Sequence, residues 1–134
     1  MKYIAILLSC IFFMASTCKN LPLAERYYSI EIINNSNQKI YFFDSQNFPD
    51  TSLTVDKPYF SGAVAHSTGS IDKTQEWQDI ISSIPSDTLT IFILSNDTVN
   101  TYPWETIRGT YNILKRYDLS LQDLENSNWT ITYP

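Results

Sequence analysis

The side chains of this chain able to do chemistry are one histidine, two cysteines and fourteen carboxylates. A zinc site or a nucleophilic triad sets His beside Cys, Asp or Glu partners. His66 is the only histidine, and its neighbour Ser67 is adjacent in sequence, so the two do not face each other as a catalytic pair must. It reads as a partly exposed turn histidine. Paired carboxylates offer the next chemistry, because glycoside hydrolysis places two of them about 5–10 Å apart in a cleft. Asp118, Asp123 and Glu125 are close in sequence. Asp123, however, falls where a helix cap would use it, and Glu125 falls on a solvated helix face. Asn96-Asp97 and Asn100 echo a calcium loop faintly, without its regular oxygen spacing, and read as a turn. Glycine-rich phosphate loops are absent from the sequence. Residue spacing therefore predicts no catalytic, metal or cofactor site; a hydrolase resting on Asp118 and Glu125 is the one catalytic alternative.

The remaining reactive side chain is Cys18. Lys2 is the only charge before it, and Tyr3 to Ala15 holds nothing more polar than Ser9 and Cys10. A positive start, an apolar stretch of ~7–15 residues and small residues at a cleavage point make a secretory signal. Ala15-Ser16-Thr17-Cys18 resembles a bacterial lipobox, in which the cysteine is acylated and becomes the first mature residue. A membrane-spanning helix needs roughly 20 apolar residues, and Tyr3 to Thr17 supplies 15. A plain cleaved signal stays open, since Ala15-Ser16-Thr17 suits an ordinary signal peptidase. Lipidation accounts for one further fact, a thiol that would otherwise be unpaired in an oxidising compartment. A lipobox usually carries a larger aliphatic residue where Ala15 stands and Gly, Ala or Ser where Thr17 stands. Leu7-Leu8-Ser9-Cys10 fits that pattern better but leaves too short an apolar region. The expected organisation is thus a signal peptide over 1–17, a lipid-anchored tether over 18–26 and a single domain over 27–134.

Without residues 1–17 the chain has 117 residues, enough for one compact domain, with eight Lys/Arg against fourteen Asp/Glu and a net charge of −6. Phosphate backbones are bound by clustered cations, and Lys115-Arg116 is the only basic pair. Nucleic acid is excluded as a partner on that ground. Anionic headgroups are disfavoured likewise, so the membrane is reached through the lipid. Sixteen mature residues are aromatic and three are glycine, a composition that fills a core.

The elements that must position these side chains read mostly as strands. Tyr28, Ile30 and Ile32 alternate along an apolar face, Asn34-Asn35-Ser36-Asn37 breaks the run, and Lys39 to Phe43 is again β-rich. The spacing predicts an antiparallel hairpin over 27–44. Residues 45–58 read as a connection, Tyr59 to Ala65 as a strand weakened by Gly62, and Ser67-Thr68-Gly69-Ser70 as a turn. Gln75 to Ser83 predicts a short helix with Trp77, Ile80 and Ile81 on one face and Thr74 as its candidate cap. Leu89, Ile91 and Ile93 alternate with Thr90, Phe92 and Leu94, so both faces are apolar and a doubly covered central strand follows. Pro103 opens a turn or two of helix ending near Gly109. Asn112 to Leu119 is extended. Ser120 with Asp123 three residues on, flanked by Leu119 and Leu124, specifies a capped helix over 121–126. Trp129, Ile131 and Tyr133 then alternate in a last strand. The predicted class is mainly β, an antiparallel β-sandwich or open barrel with two or three short helices in the connections.

The C-terminal third carries a resemblance. Asp87-Thr88-Leu89-Thr90-Ile91-Phe92-Ile93, Trp104-Glu105-Thr106-Ile107, the run from Tyr111 to Leu124, and Asn128-Trp129-Thr130-Ile131-Thr132-Tyr133-Pro134 resemble a group of small lipoproteins of the Bacteroidetes that have no assigned activity. The resemblance implies an envelope address and transfers no substrate, cofactor or catalytic residue. Surface-export signals of such lipoproteins resemble acidic runs after the cysteine. Lys19-Asn20-Leu21-Pro22 has none, which points to the outer membrane facing the periplasm. Asp87-Thr88-Leu89 and Asp97-Thr98-Val99 resemble the Asp-Thr-aliphatic sites of O-glycosylation in that phylum. Thr98 is favoured over Thr88 because Ser95 to Thr101 reads as an exposed polar stretch. Trp77, Trp104, Trp129 and the tyrosines could line a sugar- or peptide-binding face, although strand and helix periodicity assigns most of them to the core. The functional expectation is a non-catalytic binding or structural module of the cell envelope, with an envelope protein or a glycan as partner; the alternative is a hydrolase of envelope or dietary glycans.

Overall fold

The computed structural model describes residues 26–134. The signal segment, Cys18 and the tether up to residue 25 lie outside the described residues. In chain order the elements are β1 (Tyr28–Asn34), β2 (Ile40–Ser45), β3 (Ser61–Ala63), β4 (Ser67–Lys73), α1 (Trp77–Ser83), β5 (Thr88–Ser95), α2 (Asn96–Thr101), α3 (Trp104–Thr110), β6 (Lys115–Ser120), α4 (Leu121–Asn126) and β7 (Thr130–Tyr133). They build two sheets, β4-β1-β7 and β3-β2-β5-β6. Every pairing is antiparallel except β1 with β7. The mainly β, sandwich-like class predicted from the alternation is the one observed.

The core lies between the sheets. Ile30 and Ile32 of β1, Ile40 and Phe42 of β2, and Leu89, Ile91 and Ile93 of β5 meet there, joined by Trp77 and Ile81 of α1 and Leu124 of α4. Each fully buried side chain of this kind contributes ~1.5–3 kcal/mol. The alternate residues of β5, Phe92 and Leu94, point out of the other face into a second cluster with Phe43, Leu53, Trp104 and Ile107. Strand β5 is therefore covered on both faces, as its two-sided apolar pattern requires.

The hairpin expected over 27–44 does not form, because β1 and β2 belong to different sheets. A flat hairpin would set Ile30, Ile32, Ile40 and Phe42 side by side on one uncovered face. A corner at Asn34 instead turns the two faces toward each other. Asn34 is fully buried, and its Nδ2 donates to the carbonyls of Gln38 at 2.8 Å, Ala63 at 3.2 Å and Val64 at 2.9 Å. Its Oδ1 accepts from the Ser36 amide at 3.0 Å and hydroxyl at 2.6 Å. The side chain thus replaces the backbone partners the corner gives up.

Ser67 to Ser70 is not a turn but the first half of β4. The reversal falls just before it, at Ala65-His66, with His66 at φ 54°. Gly69 serves close approach here: a Cβ on it would overlap the Gly62 carbonyl oxygen and stand 2.9 Å from Phe42 Cζ. Strand β4 of one sheet comes into contact there with β3 of the other.

The helix over Trp77–Ser83 buries the three predicted residues, but its N-cap is Glu76, without a side-chain cap bond, rather than Thr74. The capped helix at Ser120 is present as read, with the Ser120 hydroxyl accepting from the Asp123 amide at 3.2 Å and the Asp123 carboxylate accepting from the Ser120 amide at 2.9 Å. The last strand begins at Thr130, since Asn128 and Trp129 take left-handed conformations, φ 52° and 59°. Helix α2 is an addition to the predicted set.

Candidate functional site

Each residue singled out for chemistry has a defined place. His66 is exposed in its turn, with Nε2 2.9 Å from Asn37 Oδ1. Asp123 is held in the helix cap, and the hydrogen bonds from the Ser120 side chain and backbone lower its pKa. Glu125 is exposed on α4. Asp118 is on β6 with both oxygens engaged: Oδ1 accepts from the Thr90 hydroxyl at 2.9 Å and Oδ2 accepts from Arg116 Nε at 3.0 Å. Neither Asp118 nor Glu125 lines the grooves described below. Among the described residues no three His, Cys, Asp or Glu gather as metal ligands, and no helix is long and apolar enough to cross a membrane.

The accessibility expected of the two threonines is reversed. Thr98 is 8 % exposed, because Ser95 to Thr101 is α2 with its N-cap rather than an open stretch. The Ser95 hydroxyl accepts from the Thr98 amide and donates to the Thr98 hydroxyl, both at 2.9 Å. Thr88 is half-buried, its hydroxyl donating to the Ser86 carbonyl at 2.9 Å.

The tryptophans do not form a binding face. Trp77 and Trp104 are buried, and their indole N–H groups donate to the Tyr28 and Thr54 carbonyls, each at 3.0 Å. Trp129 is half-buried against the inter-sheet core. The exposed rings are tyrosines.

Two of them, Tyr102 and Tyr111, flank a groove of about 420 Å³ along α3, whose lining is completed by Thr106, Thr110, Asn112 and Ile113. Tyr102 ends α2, its amide donating to the Thr98 carbonyl at 3.1 Å. Pro103 follows and opens α3. Tyr111 ends α3 in the left-handed conformation, φ 51° and ψ 44°. Helices are commonly closed by glycine at such a position, yet Gly109 sits inside α3 and a residue with a Cβ sits where glycine is favoured. That choice costs roughly 1–2 kcal/mol. Two contacts offset it: the Tyr111 and Phe92 rings meet edge to face at 6.4 Å and 89°, and the Tyr111 hydroxyl accepts from Arg116 at 3.2 Å.

Strand register assembles the support behind Tyr111. On β6, Arg116 stands opposite Phe92 and Asp118 opposite Thr90, so a period of two places all four on one face of the sheet. The chain of hydrogen bonds runs from the buried Thr90 hydroxyl to Asp118, to Arg116, to Tyr111. Arg116, a guanidinium that stays charged in any protein, donates to the Tyr111 hydroxyl and to Asp118. A phenol oxygen that accepts from a cation keeps its own proton for a further acceptor and donates it more strongly.

A second groove, about 420 Å³, lies between the ends of β2 and β4 beside Pro58 and Tyr59. Its charged side chains are already engaged. Lys73 Nζ is 2.9 Å from Asp44 Oδ1 and 5.5 Å from the centre of the Trp77 ring, and Asp72 accepts from Ser29 at 2.6 Å and Ser70 at 3.2 Å. This is a clamp between the sheets more than an open site. The Tyr111–Arg116–Asp118 arrangement escaped the sequence because Arg116 read only as half of a basic pair; the one local signal was a tyrosine two residues beyond Gly109.

No protein-family model matches the sequence, and the searches of curated proteins and of solved structures give no match.

Proposed function

We propose that this chain is a cell-envelope lipoprotein of the small Bacteroidetes type its C-terminal third resembles, and that its folded part is a non-catalytic binding module. The anchor is Cys18, and the location is the outer membrane facing the periplasm. Acyl chains contribute about 0.8 kcal/mol per buried CH₂, so several hold a domain of this size at the bilayer without any apolar protein surface.

One observation carries the non-catalytic reading. Asp118, the carboxylate best placed in the sequence for acid or base work, has both oxygens occupied by Thr90 and Arg116, and its partner across the network is a tyrosine at a groove. A general acid or base must lie within hydrogen-bond reach of the proton it moves, and Asp118 lines neither groove. The network instead orients a side chain for contact.

Two measurements test the reading. Mass spectrometry of the amino-terminal peptide from membranes is expected to show an acylated Cys18; an unmodified thiol removes the anchor. Incubation of the protein with cell-wall and plant glycans is expected to release no reducing ends; turnover that Asp118→Asn abolishes would install the hydrolase instead.

A further inference from the structure

We propose that the groove between Tyr102 and Tyr111 binds the apolar face of an uncharged sugar ring, so that the ligand class is a neutral oligosaccharide. The proposal rests on the binding-module reading and names its ligand.

The lining excludes the charged alternatives. The protein carries a formal net charge of −5, yet the groove is lined by two tyrosines, two threonines, an asparagine and an isoleucine, with no ionisable carboxylate or ammonium among them. A nucleotide or an acidic sugar would need a free cation. Arg116, the cation hydrogen-bonded to the lining through Tyr111, is already engaged by Asp118 at 3.0 Å.

The same lining fits a hexose. One face of such a ring is a patch of C–H groups, which an aromatic ring desolvates, and its rim is a set of hydroxyls that must regain hydrogen bonds on leaving water. Tyr102 and Tyr111 are 48 % and 39 % exposed, and a tyrosine offers a large rigid contact at the cost of only two torsions. Among the described residues the Tyr102 hydroxyl, the Thr106 hydroxyl and the Asn112 carboxamide have no side-chain hydrogen-bond partner, so donors and acceptors stand ready at the rim. The volume of about 420 Å³ lies within the ~300–1,000 Å³ usual for small-ligand sites.

Tyr111 is the anchor. It keeps its ring in a backbone conformation that favours glycine, φ 51°, at the cost stated above. Phe92 fixes its ring and Arg116 fixes its hydroxyl, which leaves the phenol proton for a sugar oxygen. Tyr111 and Tyr102 are the contact residues; Arg116 and Asp118 position the first of them.

The test uses the full chain in detergent micelles and titration calorimetry with cellotetraose, maltotetraose, mannotetraose and, as the anionic control, tetragalacturonate. At least one neutral tetrasaccharide is expected to bind and the anionic one to bind more weakly. Tyr111→Gly removes the ring at a position where glycine relaxes the backbone, so the variant keeps its fold; it and Tyr102→Ala are each expected to weaken binding about tenfold. Tyr111→Phe keeps stacking and loses part of the affinity, and Arg116→Lys restores part of what Arg116→Met removes. Binding by none of the neutral sugars, or binding indifferent to Tyr102→Ala and Tyr111→Gly, overturns this ligand class and leaves the binding-module reading to its own tests. Cleavage of a tetrasaccharide during the titration overturns the non-catalytic reading itself.

Discussion

The Asn34 carboxamide donates to the Val64 carbonyl at 2.9 Å, tying the end of β1 to the connection between β3 and β4. The same nitrogen serves Gln38 and Ala63, so one side chain holds the corner at which the chain passes from one sheet to the other. Removing it strands several buried backbone groups at about 1–3 kcal/mol each. Asn34→Ala is expected to lower unfolding free energy by ~2–4 kcal/mol in urea denaturation. Asn34→Asp is expected to be worse at neutral pH, because a carboxylate there faces three carbonyls. A loss under 1 kcal/mol for both would mean the corner stands without Asn34.

Two glycines answer opposite questions. Gly69→Ala forces a methyl against the Gly62 carbonyl and Phe42, and overpacking of this kind costs ~1–3 kcal/mol. Gly109 lies within α3, and a Cβ there meets nothing within 4 Å. Gly109→Ala is expected to stabilise by ~0.5–1 kcal/mol, the helix-propensity difference. Thermal melts of the two variants should move in opposite directions.

Acid sensitivity has a local reporter in Asp123, whose pKa is lowered by the Ser120 hydroxyl and amide. A carboxyl whose folded pKa lies below its unfolded one contributes stability that is present above the unfolded value and lost as pH falls through the folded value. The carboxylate's share of the α4 cap is therefore complete at neutral pH, begins to fade below about pH 4 and is lost as pH falls through the folded value. Asp123→Asn should flatten that part of the stability profile between about pH 5 and 2. An unchanged profile in urea melts across that range would rule the cap out as the source.

Asp118 separates a surface ion pair from a buried hydrogen bond. Its bond with Arg116 lies at the surface, where such pairs are worth ~0–1 kcal/mol. Its other oxygen accepts from Thr90, which is buried, so Asp118→Ala is expected to cost ~1–2 kcal/mol. A double-mutant cycle should find stronger coupling of Asp118 with Thr90 than with Arg116. Equal couplings would place the strength of the network in the ion pair.

Some elements are legible in a few consecutive residues because the interactions that make them span no more than one turn. The Ser120–Asp123 capping box closes over three residues. The apolar faces of α1 and β5 repeat with periods that any such segment shows. The same patterns mislead where partners are remote: the turn formers from Asn34 to Asn37 look the same whether β2 folds back beside β1 or crosses to the other sheet. Ser95 to Thr101, polar throughout, looks like an open loop until Ser95 caps it as a helix.

Composition and periodicity by themselves determined the β class, the doubly covered central strand and the capped helix. Only the tertiary structure decided the sheet partners, the burial of Thr98 and the groove. Tyr111 and Arg116 are five residues apart, but nothing local aims one at the other. That follows from the register of β6 on β5, which sets Arg116 against Phe92 and Asp118 against Thr90, and register is settled by which apolar faces the whole chain must bury.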